Sequence, residues 1–264
     1  MKAGLLLLAT VGALVLGEAT LTLRPMAPAT EAAAALPVRQ ADIPYDGRYT
    51  FVRIQYDVGS GSGLRGFGRG REPSWAHDYP RAETNFDKIV KETTYIDTFM
   101  DGSRILRMDD PEVFKYPLIY VVEVGDWSAT RAEITALGAY LQKGGFLIVD
   151  DFRGNQIYQL EAILREAVPG MQIMEVPVDH DIFDSFFHID DPYALQPPTF
   201  QQYRPIYLGL FEDNDPEKRL MAILNYNNDI AEYWEYSDFG YYPINLSNEA
   251  YKFGINYLIY AMTH

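Results

Sequence analysis

From about Tyr49 onward the chain switches between two hydrophobic periods. "YTFVRIQY" is β-branched and aromatic and reads as a first strand. Starting near Pro80, the residues Ala82, Phe86, Ile89, Val90 and Thr93 recur on one helical face. "SRILRM" reads as a short strand. "YPLIYVVEV" is apolar on both faces, as a central parallel strand must be. Thr130 and Glu133 have capping-box spacing ahead of a helix whose buried stripe is Ile134, Leu137 and Leu141, and Gly144 and Gly145 stop it. "FLIVDDF" is a second buried strand, followed through Gly154 and Asn155 by the helix "IYQLEAILREAV". "MQIMEVP", "PIYLGLF" and "RLMAILNYN" read as later strands. Ser247 opens a last helix with Ala250, Ile255, Leu258, Ile259 and Met262 on its inner side.

Strands alternating with helices of these lengths predict an α/β sandwich with a mainly parallel sheet. Ligands of such sheets sit outside the carboxyl ends of the strands. The segments to search are therefore 57–71, 109–110, 123–127, 150–155, 177–181 and 225–229.

Ahead of this body, "MKAGLLLLATVGALVLGEA" has one Lys, an apolar run from Ala3 to Gly17 and small residues at Gly17 and Ala19. It reads as a secretory signal or an uncleaved anchor over residues 1–22. The Ala- and Pro-rich residues 23–48 read as a tether, and residues 49–264 as the folded domain. The expectation is a periplasmic or extracellular protein that meets the membrane only through its N-terminal segment. With 37 acidic against 22 basic residues the net charge is −15, which excludes nucleic acid as a partner because no basic surface is available. The absence of Cys excludes disulfides, thiolate metal ligands and a thiol nucleophile.

"FVRIQYD", "DYPRAETNF", "YLQKGGFLIVDDF", "HDIFDSFFHI" and "MAILNYNNDIAEYWEYSD" together resemble a bacterial family, domain of unknown function 4159, over roughly residues 49–264. That family looks like a branch of the class I glutamine amidotransferase-like, trehalose-utilisation-like fold. The resemblance implies a flavodoxin-like three-layer sandwich and no established activity. Where the parent class carries a Cys between a strand and a helix, "VDDFRGN" carries Asp151 and Phe152. The resemblance therefore implies no glutaminase chemistry through an acyl-thiol intermediate.

Candidate chemistry gathers at the strand ends. In "WAHDYPRAETNF", Pro80 suits a first helical turn, Asp78 can cap it and Glu83 favours the positive end of the dipole. Glu83 also borders the apolar stripe, so it needs a partner from another element. His77 and Arg81 are left over, which makes the stretch either a capped helix start or one wall of a pocket. The Gly-rich loop with Arg65, Arg69 and Arg71 is an anion cradle or a solvated loop; no G-K-[ST] follows it. Asp150 ends a buried strand and points inward. Asp151 and Arg153 are site residues or a surface pair, and His180 lies between Asp179 and Asp181. Asn228 and Asp229, with Tyr233, Trp234 and Tyr236 behind them, form a sugar-stacking wall or a packing layer. No compact metal motif is present, so the sequence assigns no metal ligand, no cofactor and no catalytic residue. Three functions remain open. They are a non-catalytic ligand-binding or scaffold domain, an envelope hydrolase or carbohydrate-acting enzyme using carboxylates and His with or without a divalent ion, and a structural subunit of a surface assembly. The expected partners are a small anionic or carbohydrate ligand and other envelope proteins.

Overall fold

The computed structural model describes residues 45–59, 73–199 and 202–264. The signal or anchor segment, nearly all of the tether and the three-Arg Gly-rich loop lie outside the described residues. Tyr45 rests edge-on against Tyr116, with ring centroids 5.3 Å apart, and Tyr49 is the first buried position. Among the described residues no helix is long and apolar enough to cross a membrane.

Seven strands form one sheet: β1 Val52–Gln55, β2 Arg104–Arg107, β3 Leu118–Val122, β4 Phe146–Phe152, β5 Ile173–Glu175, β6 Ile206–Phe211 and β7 Leu220–Tyr226. Their order is β2-β1-β3-β4-β7-β6-β5. The run from β2 to β7 is parallel throughout, while β6 runs antiparallel to both of its neighbours. The parallel run follows the 2-1-3-4-5 order of a flavodoxin-like sheet, with β7 in the fifth place. The reversal at β6 follows from its link to β7. Asp213 and Asn214 turn with positive φ and Glu212 N–H donates to Arg219 O, and so tight a turn joins only antiparallel strands.

The helices are α1 Arg81–Thr93, α2 Arg131–Gln142, α3 Ile157–Ala167, α4 Ile230–Glu235 and α5 Ile244–Thr263. Alternate side chains of each strand feed two cores. On one face Phe51, Tyr120, Ile148 and Ile223 meet Phe86 of α1, Trp234 of α4 and Phe253 of α5. On the other, Val52, Ile119, Leu147 and Leu224 meet Leu137 and Leu141 of α2 and Leu160 and Leu164 of α3. The Thr130–Glu133 capping box forms as its spacing requires. Two boundaries differ from the sequence reading. Helix α5 begins at Ile244, with Pro243 at its N-cap, rather than at Ser247. The stretch read as an amide-and-aromatic wall contains a short helix, α4, capped by Asp229.

One residue of β1 breaks the apolar pattern. Arg53 points from the sheet toward α1 and is fully buried. Its Nε donates to Glu83 Oε1 of α1, and its Nη1 donates to Trp75 O at 3.1 Å and His77 O at 2.9 Å. The guanidinium also stands 5.0 Å over the Tyr120 ring. The partner Glu83 needed is therefore an Arg of another element, and the pair ties the segment before α1 to the centre of the sheet. Arg81, two residues earlier, faces outward and makes a forked bond to Asp238 at 2.9 Å and 2.9 Å. Glu83→Gln keeps the shape and removes the buried charge that balances Arg53, so equilibrium urea unfolding is expected to show a loss of roughly 1–3 kcal/mol. Arg81→Ala, at an exposed pair, is expected to cost under about 1 kcal/mol.

Candidate functional site

The carboxyl ends of β3, β4 and β7 and the segment leading into α1 bring acids to one place, beside the point where the strand order of the parallel run reverses. Four residues there hold a positive φ without being Gly: Asp78 (66°), Glu123 (48°), Asp151 (49°) and Asn227 (61°). Such conformations cost free energy and gather where side chains must be aimed. At the end of β4 the register against β7 shifts between Val149 and Phe152. That bulge turns two consecutive acids to different tasks. Gly125 lets the turn after β3 press against Gln156, since a Cβ would lie 2.5 Å from Gln156 Cγ. The turn after β3 is thereby held close to the turn after β4.

Asp150 looks inward and is fully satisfied. It accepts from Tyr120 Oη at 3.1 Å, Asn225 Nδ2 at 3.0 Å, Ile230 N at 3.0 Å and Ala231 N at 2.9 Å. It thus fixes the start of α4 to the sheet. Asp151, also buried, turns the other way, where its Oδ2 lies 2.7 Å from His77 Nδ1. The same ring nitrogen is 3.6 Å from Asp78 Oδ1. The Asp78 side chain has no exposure to solvent, and among the described residues neither of its oxygens has a hydrogen-bond partner. Asp78 does not cap α1 with its side chain; its backbone O accepts from Ala82 N while the carboxyl turns to His77. His77, Asp78 and Glu232 bring one ligand atom each within 4.8 Å of one another, and so do His77, Glu123 and Asp151.

This crowding displaces proton affinities. Burial pushes the Asp78 carboxyl well above the usual carboxylate range, with the Asp151 charge adding to it and His77 opposing it. Burial and the charges of Asp151 and Asp78 do the same to Asp229. Burial and Asp151 push Glu123 up to about 7, against the pull of His77 and Ser74. For His77 burial lowers proton affinity, but the Asp78 charge and the bond to Asp151 outweigh it and hold the imidazolium up to about 11.

The residues singled out from the sequence separate into two groups. His77, Asp78, Asp150, Asp151 and Asp229 come to this end of the sheet. Asn228 lies beside them but is buried, bonded through Nδ2 to Tyr207 Oη at 3.3 Å, and serves the packing. Glu83 sits below the site, on Arg53. Arg81 is taken up by Asp238 and the Phe239 ring, 3.5 Å away. Arg153 follows the bulge, with its N–H bonded to Gln156 Oε1 at 2.8 Å. His180 is elsewhere: its ring packs against Phe211 and Tyr260, and Tyr260 Oη bonds Leu220 N where β7 begins. A cavity of about 350 Å³ opens beside His180, Lys218, Arg219 and His264. Glu123, in the 123–127 segment marked for search at a strand end, also comes to the site, whereas Glu232 was not singled out. Glu232 stands three residues after the cap Asp229, where it reads as a capping-box partner; in the fold its carboxylate accepts instead from Tyr242 Oη at 2.9 Å.

A family model described as a domain of unknown function, DUF4159, matches residues 50–262, and the chain belongs to that family. No curated protein matches the chain.

Asp78 is the least compensated of these acids, and Asn tolerates its positive φ. Because its pKa is raised on folding, it favours the fold fully only below the unfolded carboxyl value, and that contribution is lost as pH rises through the folded one. Asp78→Asn is therefore expected to stabilise the protein near neutral pH, by about 0.5–2 kcal/mol, and to leave stability little changed in acid, below about pH 4. Thermal melts at the two pH values check this; a loss of stability near neutrality would show that Asp78 is already paired.

Proposed function

We propose that this member of the DUF4159 family is an exported ligand-binding domain whose crevice at the carboxyl end of the sheet takes a hydroxyl-rich, carbohydrate-like ligand. The observation that carries the reading is Asp78, a buried carboxyl with neither oxygen hydrogen-bonded among the described residues, set beside His77, Asp151 and Glu232. Buried polar groups are normally paired, and an orphan in a crevice is one that a ligand is placed to pair. The charge argues against an anion, because several acids surround the single His77 imidazolium and, among the described residues, Arg53 and Arg81 are engaged by Glu83 and Asp238. Neutral hydroxyls, by contrast, donate well to carboxylates.

Aromatic rings supply the second half of a sugar site. Tyr242 bonds Glu232 and touches Tyr233 and Tyr241, with ring centroids 4.9 Å away in each case. Tyr241 and Phe239 are largely exposed. Such rings present flat apolar faces next to hydrogen-bonding groups, which is what stacking against a sugar ring requires. Export is supported by the apolar run from Ala3 to Gly17 and the Ala- and Pro-rich stretch after it. A scaffold or structural subunit has no comparable need for converging acids, so the binding reading is preferred.

Titration calorimetry of the purified body against neutral mono- and oligosaccharides tests the proposal. Saturable binding is expected, weakened about tenfold, equivalent to ~1.4 kcal/mol, by Tyr241→Ala, whose side chain is too exposed to affect folding. Binding of no saccharide at millimolar concentration, or binding that Tyr241→Ala and Glu232→Gln both leave unchanged, would remove the carbohydrate from the account.

A further inference from the structure

We propose that the cluster centred on His77 binds one divalent transition-metal ion, with His77 supplying a nitrogen and Asp78 and Glu232 the oxygens. The inference deepens the reading of this crevice as the ligand site, and rests on it, by naming an inorganic component of that site. Two sets of three potential ligands meet at a single imidazole: His77 with Asp78 and Glu232, and His77 with Glu123 and Asp151. The sets come from four separate pieces of chain: the segment before α1, the end of β3, the end of β4 and helix α4. Their meeting is a product of the fold rather than of an acidic run in sequence.

The spacing suits coordination. Bonds of about 2.1 Å from a metal to N and O put neighbouring ligand atoms roughly 3.0–3.4 Å apart in octahedral or tetrahedral geometry. His77 Nδ1 is 3.6 Å from Asp78 Oδ1, so a small side-chain rotation reaches that range. Asp78 is the independent sign of a missing partner. Its side chain is 0% exposed and its two oxygens meet no donor among the described residues. Its backbone is meanwhile held by Arg53, which grips the carbonyl of His77 just before it. An acid placed so firmly without a donor has the geometry of a ligand.

The donor set selects the ion. Mg²⁺ and Ca²⁺ favour all-oxygen shells, whereas one imidazole with two carboxylates suits Mn²⁺, Fe²⁺ or Zn²⁺. A cation here would also change the crevice's preference, drawing sugar hydroxyls or a carboxylate-bearing ligand onto the metal.

Mn²⁺ and Zn²⁺ binding to the chelator-treated protein is measured by calorimetry without any saccharide, with Mg²⁺ and Ca²⁺ as comparators. One equivalent of Mn²⁺ or Zn²⁺ is expected to bind, with affinity lowered at least tenfold in both His77→Gln and Glu232→Gln and unchanged in Asp238→Asn, which lies at the Arg81 pair. Electron spin-echo spectroscopy of bound Mn²⁺ should show coupling to one imidazole nitrogen, absent in His77→Gln. His77 is 45% exposed, so its replacement is compatible with folding, and a circular-dichroism melt verifies this. Absence of stoichiometric transition-metal binding, tighter binding of Ca²⁺ or Mg²⁺, or affinity unaltered by both ligand variants would overturn the proposal. Saccharide binding in chelator would then leave the broader reading standing, whereas metal binding without any saccharide affinity would remove only the sugar.

Discussion

A guanidinium inside the sheet governs the placement of the site. Arg53 occupies a strand position where every neighbour is apolar, and it is stable there only because Glu83 of α1 supplies the opposite charge. Burying such a pair is costly, and it yields little stability over an apolar replacement. It does fix geometry. One arm of the guanidinium holds Glu83, another holds the carbonyls of Trp75 and His77, and the plane lies over Tyr120. The segment entering α1 is thus pinned to the middle of the sheet, and His77 and Asp78 have no freedom to drift into solvent. A hydrophobic pair would hold α1 equally well but would leave those carbonyls without donors.

The consecutive acids at the end of β4 show the same division between support and function. Asp150 is saturated by Tyr120, Asn225 and the first N–H groups of α4, and Tyr257 in turn holds Asn225 at 2.8 Å. It anchors α4, and with it Glu232 and Asp229. Asp151, displaced by the bulge, turns the other way and meets His77. A support that is fully hydrogen-bonded beneath acids that are not is the expected build of a site preorganised for a ligand.

Much of the architecture was legible in the chain. The continuous apolar runs at 118–122 and 146–149 announced central parallel strands, and the Thr130–Glu133 spacing announced a helix start. The need of Glu83 for a partner from elsewhere, a backbone N–H or an Arg, was legible too, because a carboxylate on an apolar stripe must be paired. The identity of that Arg was not, since nothing local distinguishes Arg53 from a solvent-facing residue of an edge strand. Reversal of β6 was hidden because "PIYLGLF" reads alike in either direction. The site was half visible. The rule about strand ends led to Glu123, Asp150, Asp151 and Asp229, and the crowded helix start to His77 and Asp78, but the sorting of Arg81 to Asp238 and of His180 to the other end of β7 depends on tertiary packing that no spacing encodes. Glu232 was masked by its own position, which imitates a cap.

The account stands on Asp78 and its neighbours being a ligand shell held ready by Arg53. The most direct measurement is a crystal structure grown with Mn²⁺ and recorded close to the manganese absorption edge. The account predicts an anomalous peak within bonding distance of His77 and the Asp78 and Glu232 carboxylates, with Arg53 still gripping the His77 carbonyl. A crevice without such a peak, in which the Asp78 carboxylate turns to a donor of the protein itself, would contradict it.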